Sequence, residues 1–555
     1  MNKPYLFIII GIFIFASLLY TTGIKWGLPS EETKSFYIQD ANISQEYVKH
    51  SWEISKENLP EKLPRSVFNA IRSFHPDEQI ILKSISTMSP ERFDFNPHYF
   101  EYPSSQIYLV AVTLKVLSIP GFIKIEPDIS YYFKHPNEMA KMYLAGRYIT
   151  LLMAICGLIL FYKVALVLCG RYGAAFATAC LGFCPLYSIN SHYMTVDIPM
   201  VFWIIVSLFF IVMFVKRRKF FYIAFSAFTL GIATGTKYPA GILIFLLPFV
   251  YYRTYEKSPG RFIKNMLILF VLFLVGFLIT TPYCIIAFNE FKRDILYQTG
   301  SRGVGASGLY QYINCFINFF AALWVGSWLL VFLFILSIYF LARRRLLEDR
   351  IILTGLIFCL VPLFTAGGFK YARYYLLVLP FLCLSAGSVF NDFFQIENKR
   401  AKIFASSLCI LILVAVLIKS VAYSKVMACK DVRILAAEYI SNEIPQDKKL
   451  VFTKNPWIFE VPPVNPLRYA VVSEKDLKTA PSGSFLIIGE LQYFLTYGSR
   501  VKEMQNKIDL CQKKGFVLKK IFENEPHFGQ LYFDCDWTLH DMIYAHPKIL
   551  LFYKP

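Results

Sequence analysis

At 555 residues, 56% of them hydrophobic and 17% aromatic, with a mean hydropathy of +0.47, the chain carries more apolar surface than a soluble core can use. This excludes an ordinary water-soluble protein and places the chain among membrane proteins. The formal net charge of +19 would suit a nucleic-acid binder if the cations formed one patch, but they stand in short runs between apolar segments, which is a topology signal.

Stretches apolar and long enough for a hydrocarbon core of about 30 Å fall near residues 5–22, 147–169, 173–190, 197–215, 220–236, 239–252, 265–288, 316–341, 351–368, 371–390 and 402–423. Roughly eleven spanning helices are therefore expected. The first has the length of a signal anchor, but Thr21-Thr22-Gly23 is a poor small-residue cleavage site, so it reads as a retained helix. A twelfth candidate, residues 104–119, decides the orientation of every later helix. It is apolar but short, contains Lys115, and ends at Pro120-Gly121. If it does not span, the short loops hold seventeen lysines and arginines on the cytoplasmic side and six outside. The positive-inside rule prefers that arrangement, with 104–119 as a juxtamembrane or re-entrant helix at the outer surface.

Two large outer segments follow from this topology, residues 23–146 and 424–555. The C-terminal segment alternates helix-like stretches (432–444, 501–514) with strand-like ones (450–453, 485–488, 549–553), the pattern of a small α/β domain. The expected architecture is mainly α, with a transmembrane domain over 1–423 and an extracytoplasmic α/β domain over 424–555. Eight of the twelve cysteines (156, 169, 180, 184, 284, 359, 383 and 409) lie in or at the ends of apolar stretches and read as small packing residues. Cys429, Cys511 and Cys535 lie in the C-terminal part, where an oxidising compartment would allow one disulfide, with the pairing open.

Several polar residues stand where chemistry is possible. In Phe74-His75-Pro76-Asp77-Glu78, two carboxylates follow a proline at the start of a helix; they can complement the helix dipole or act as catalytic acids. The run from Phe95 to Ser104, with His98 and Tyr102, is an aromatic, proline-punctuated approach to the membrane surface, where aromatic residues are expected whatever the function. His192 and Tyr193 precede Asp197, an ionisable residue at the outer mouth of a span, where a polar cavity or a catalytic role has to offset the cost of burial. Lys237 and Tyr238 in Gly235-Thr236-Lys237-Tyr238-Pro239, Lys370 with Arg373 and Tyr374 in the run from Gly367 to Tyr375, and Lys292, Arg293 and Arg302 are placed outside against the charge bias. Such cations either snorkel at helix ends or bind an anion such as a phosphate. Acids and cations facing one side would suit glycosyl transfer from a lipid phosphate: a carboxylate takes the acceptor proton while cations stabilise the departing phosphate.

At these residues the chain resembles the membrane glycosyltransferases with the GT-C fold, in particular the group that includes the protein O-mannosyltransferases and the lipid A aminoarabinose transferase. The resemblance covers nearly the whole chain in layout, although its motifs are short. It implies that Asp77-Glu78 is the catalytic acidic site of the first outer loop and that Asp197 is a second acid. It implies further that Gly235-Thr236-Lys237-Tyr238 and Arg373-Tyr374, followed by Leu379-Pro380, face the donor phosphate. The implied reaction is transfer of a sugar from a polyprenyl-phosphate donor to a lipid, glycan or, less favoured, protein acceptor at the outer face. Asp77 would be the general base, Glu78 would orient it or bind the sugar, and Asp197 would support the acceptor or the base. His98, Tyr102, His192, Tyr193, Lys237, Tyr238, Arg302, Lys370, Arg373 and Tyr374 would bind substrate. No metal or cofactor is expected, since basic residues can stabilise a monophosphate leaving group. The expected setting is a bacterial inner membrane with the N-terminus cytoplasmic and no nucleic-acid partner. A transporter or flippase of a lipid-linked or anionic solute is the alternative from another class; it would favour charges near the midplane and paired broken helices.

Overall fold

The computed structural model describes residues 3–37, 70–255, 258–301, 313, 316–317, 319–321, 323, 328–365, 371–457, 459–465, 468–493, 500–534 and 536–555. The chain divides into two compact units. One comprises Met1–Thr21, Ser84–Ala111 and Tyr148–Val421; the other comprises Thr22–Lys83, Val112–Arg147 and Ala422–Pro555.

The first unit is helical because an apolar segment in lipid has to satisfy its own N–H and C=O groups. Helical segments of the described residues occupy each of the eleven expected stretches. Five are long and apolar enough to cross a bilayer by themselves, those starting at Lys3, Pro136, Asp197, Pro259 and Lys399. By length and apolarity alone, then, the described residues supply five of the roughly eleven expected spans. Three of the others are divided in two. Stretch 173–190 is divided into Gly170–Phe183 and Pro185–Asn190; 239–252 opens with the 3-10 helix Tyr238–Phe245 before Leu246–Thr254; 371–390 opens with the 3-10 helix Ala372–Leu377 before Leu379–Gln395. In each case a proline at the first or second helical position starts the following or opening segment, where its missing N–H costs nothing. Residues 104–119 form the 14-residue helix Ser105–Ser118. At 1.5 Å per residue it is about 21 Å long, short of the hydrocarbon thickness.

Two helix pairs approach to backbone distance, Phe220–Thr234 with Pro259–Thr280 and, through Gly173 and Gly387, Gly170–Phe183 with Leu379–Gln395. A Cβ on Gly231 would lie 2.1 Å from the Phe273 carbonyl oxygen, and one on Gly276 would lie 2.1 Å from that of Phe228, so Phe220–Thr234 and Pro259–Thr280 meet through glycine on both sides. Small residues serve this purpose in membranes, where no hydrophobic effect drives helices together. Interhelical hydroxyl pairs add to the packing: Ser207 with Ser226 and Ser337 with Ser385, each at 2.8 Å between oxygens.

The second unit contains a five-stranded mixed sheet, within the C-terminal segment expected to form a small α/β domain. Strands β1 (Leu450–Phe452), β2 (Tyr469–Val471), β3 (Phe485–Gly489), β4 (Val517–Phe522) and β7 (Ile549–Tyr553) lie in the order β2-β1-β3-β7-β4, while β5 (His527–Phe528) and β6 (Leu531–Tyr532) form a separate hairpin. β1 is parallel to β2 and β3, and β7 is antiparallel to β3 and β4. The period of two sends Leu450, Phe452, Ile487, Ile549 and Leu551 to one face, against Val432, Ala436 and Ile440 of helix Val432–Glu443. Val451, Leu486, Ile488, Leu550 and Phe552 face the other way, onto Cys511 and Ile508 of helix Arg500–Lys513. Cys511 is buried there and Cys429 is exposed, both as free thiols; Cys535 lies outside the described residues.

Candidate functional site

In the second unit, the acidic turn begins the helix Glu78–Ser86. Glu78 is fully buried and paired bidentately with Arg147, Nε to Oε1 and Nη2 to Oε2 both at 2.7 Å. The Ser73 hydroxyl donates to Oε2 at 2.5 Å. Arg147 completes its donors on the carbonyl oxygens of Ile24 and Trp26, each at 2.7 Å. Burial pushes the Glu78 carboxyl up, but the Arg147 guanidinium, with His75 and the Ser73 hydroxyl, overcomes this and holds it below its usual range. Glu78 is therefore a carboxylate at neutral pH, with its oxygens engaged by protein. Asp77 is half-buried, and its backbone N–H donates to His75 Nδ1 at 3.3 Å.

The first unit holds the second acid. Asp197 opens the helix Asp197–Arg217 and is 2% exposed. Lys237 Nζ lies 2.5 Å from Oδ1 and Arg373 Nε lies 4.0 Å from Oδ2. Two aromatic faces complete the cluster, with Lys237 Nζ 4.6 Å from the Tyr374 ring centroid and the Arg373 guanidinium 4.1 Å from that of Tyr371. Lys237 immediately precedes the 3-10 helix Tyr238–Phe245 and Arg373 is the second residue of the 3-10 helix Ala372–Leu377, so each cation is presented at the start of a 3-10 segment. Two cations around one buried carboxylate leave a net positive charge beside two aromatic faces.

The aromatic approach, also in the first unit, is held by the helix Phe288–Ser301. Glu290 Oε2 is 2.8 Å from His98 Nδ1, and its Oε1 accepts from Asn96 Nδ2 at 3.3 Å. Asp294 accepts from the Phe100 N–H at 2.9 Å, and Gln298 donates to the Glu101 carboxylate at 3.1 Å. The spacing of four puts Glu290, Asp294 and Gln298 on one helix face. His98 sits at φ +48°, in the left-handed region, with its N–H donating to Asn96 Oδ1 at 3.1 Å. The Tyr102 and Tyr99 rings meet edge to face at 5.8 Å, and the Tyr238 hydroxyl donates to the Phe100 carbonyl at 2.9 Å.

Among the residues singled out in the sequence, Asp197, Lys237, Arg373 and Tyr374 come together, while Glu78 pairs with Arg147 and Asp77 is held through its N–H to His75. His192 is fully buried, with Nδ1 2.9 Å from the Ser188 carbonyl oxygen, and Tyr193 is 2% exposed. Arg302 and Lys370 lie outside the described residues. Sequence reasoning missed Arg147, Glu290 and Asp294. Arg147 stands at the lip of an apolar stretch, a position that requires a partner. The run of Glu290, Asp294 and Gln298 at intervals of four marks a polar helix face.

Residues 140–286, which contain Arg147, Asp197 and Lys237, match the family described as dolichyl-phosphate-mannose-protein mannosyltransferase. No protein with a curated description matches. Among solved structures, ArnT from Cupriavidus metallidurans bound to undecaprenyl phosphate is similar, with a TM-score of 0.43 and 12% identity over 99% of this chain and 98% of that one. The Archaeoglobus fulgidus oligosaccharyltransferase tethered to an acceptor peptide gives a TM-score of 0.43 and 12% identity over 94% of this chain and 69% of that one. The protein O-mannosyltransferase Pmt1-Pmt2 complex of S. cerevisiae, bound to the sugar donor, gives 0.31 and 14% over 52% and 34%. Through its segment 140–286, the chain resembles the membrane glycosyltransferases of the protein mannosyltransferase group.

Proposed function

We propose that the chain is a lipid-carrier-dependent glycosyltransferase that moves a sugar from a polyprenyl-phosphate-linked donor to an acceptor at the extracytoplasmic face. The observation that carries this reading is the buried Asp197, Lys237 and Arg373 cluster, two members of which lie in the segment resembling the mannosyltransferase family. In this reading Lys237 and Arg373 hold the carrier phosphate by charge-assisted hydrogen bonds, and Lys370 and Arg302 belong to the same task. They stabilise the negative charge that grows on the phosphate as the glycosidic bond breaks. Asp197 keeps both side chains in place before the donor arrives.

Asp77 is the general base that takes the acceptor hydroxyl proton. Glu78, with both oxygens on Arg147 and Ser73, fits the orienting one of its two expected roles, fixing the backbone from which Asp77 projects. The test is release of free polyprenyl phosphate from a panel of polyprenyl-phosphate sugars by purified protein. Wild type should turn over at least one donor, and Asp77→Asn should lose 100-fold or more, the scale of general-base contributions, about 10²–10⁴. Full activity in the variant would remove Asp77 from the base role; no turnover of any donor by wild type would overturn the enzymatic reading.

A further inference from the structure

Within the second unit, the sheet-bearing C-terminal segment and the acidic turn share one buried polar network. Arg433, at the start of helix Val432–Glu443, is fully buried. It pairs with Asp431 through Nε to Oδ1 at 2.7 Å and Nη2 to Oδ2 at 2.6 Å. It also donates to the carbonyl oxygens of Phe459 and Tyr544 at 2.6 and 2.7 Å. The face of this clamped guanidinium lies 4.2 Å from the Phe74 ring centroid and 5.5 Å from that of Trp26. Asp431 also accepts from Trp26 Nε1 at 2.9 Å. One residue further along the turn, the Tyr544 ring meets His75 edge to face at 5.4 Å, and His75 Nδ1 accepts the Asp77 N–H. Two side chains of the C-terminal segment thus grip the two aromatic residues that immediately precede Pro76 and Asp77.

The arrangement has no slack at the turn. Phe74 N–H donates to the Gly27 carbonyl at 2.9 Å, and Gly27, at φ +60°, lies so close that a Cβ there would be 2.9 Å from the Phe74 Cβ. A stack of this kind fixes direction as well as position, because the guanidinium is planar and held at several donors. A shift of about 1 Å in a catalytic group can cost about 10²-fold in rate.

We propose that the C-terminal α/β segment takes part in the reaction as a brace for the acidic turn, with Arg433 a positioning residue for Asp77 and Tyr544 its second contact. This rests on the reading of Asp77 as the base. The experiment uses the full-length protein and the variant Arg433→Met, with two readouts: hydrogen exchange of peptides covering 70–80 and 485–489, and kcat and KM for a donor that wild type turns over. The expected result is tenfold or more loss of protection over 70–80 with 485–489 unchanged, and a kcat at least tenfold lower with KM for the donor within twofold. Protection over 70–80 equal to wild type, or an unchanged kcat, overturns the proposal.

If Arg433→Met loses protection across the sheet as well, the pair Tyr544→Phe and Tyr544→Leu decides. A kcat kept by Phe and lost by Leu supports the brace, since only Phe keeps the ring on His75, and equal values for the two overturn it. Should wild type turn over no donor, the glycosyltransferase reading fails on its own, while hydrogen exchange still decides whether Arg433 holds the turn.

Discussion

Glu78 and Arg147 are both fully buried, and their pairing is worth most as an avoided penalty. A buried ion pair gains little over an apolar pair of the same shape, but removing one partner leaves a charge in low dielectric, at about 3–5 kcal/mol. Glu78→Gln should therefore lower the stability of the purified protein by about 3 kcal/mol at pH 7, read from its denaturation midpoint. The folded-state carboxyl is held below its ordinary value. The contribution is thus fully present above the ordinary carboxylate range and is lost as pH falls through the depressed folded value. Between pH 7 and pH 5 the gap between wild type and variant should stay constant; below about pH 4 it should shrink. A gap that widens on acidification would contradict the pairing. The carboxylates were legible in sequence as a proline-led acidic turn, whereas the division of labour between Asp77 and Glu78 was not, because it depends on an arginine 69 positions away.

At the level of elements, the packing of Phe220–Thr234 on Pro259–Thr280 depends on Gly231 and Gly276. Replacing a mid-helix glycine by alanine gains about 1 kcal/mol in helix propensity. Here that gain is outweighed, since the neighbour at 2.1 Å is a backbone carbonyl that cannot rotate away. Gly276→Ala should cost about 2 kcal/mol net and lower the thermal midpoint, while Gly11→Ala, which meets nothing within 4 Å, should not. Equal midpoints for the two variants would show that the helices can separate freely. The elements themselves were well indicated by apolar runs and by alternation in the C-terminal strands. Their breaks before Pro185 and Pro380 were marked by residues visible in the sequence, although hydropathy alone runs through them.

For the whole molecule, the lysine and arginine count favours an orientation with the C-terminal segment outside. Cys429 supplies a native probe, since it is exposed just beyond the apolar helix Lys399–Ala428. In intact cells a membrane-impermeant maleimide should label wild type from outside, with the signal lost in Cys429→Ser. Labelling at Cys429 that requires permeabilised cells would invert the topology and place residues 104–119 among the spans.

Apolar run length, charge asymmetry and strand alternation are local or additive properties, so the sequence by itself determined that this is a polytopic helical membrane protein with a small α/β segment, and it indicated Asp77, Asp197, Lys237 and Arg373 as residues of interest. Only the tertiary structure decided what those residues touch. The pairs Glu78 with Arg147, Asp197 with Lys237, and Phe74 with Arg433 join positions far apart in the chain. Each pairing follows from burial, which makes a lone charge or an unfilled donor expensive wherever its partner happens to lie in sequence.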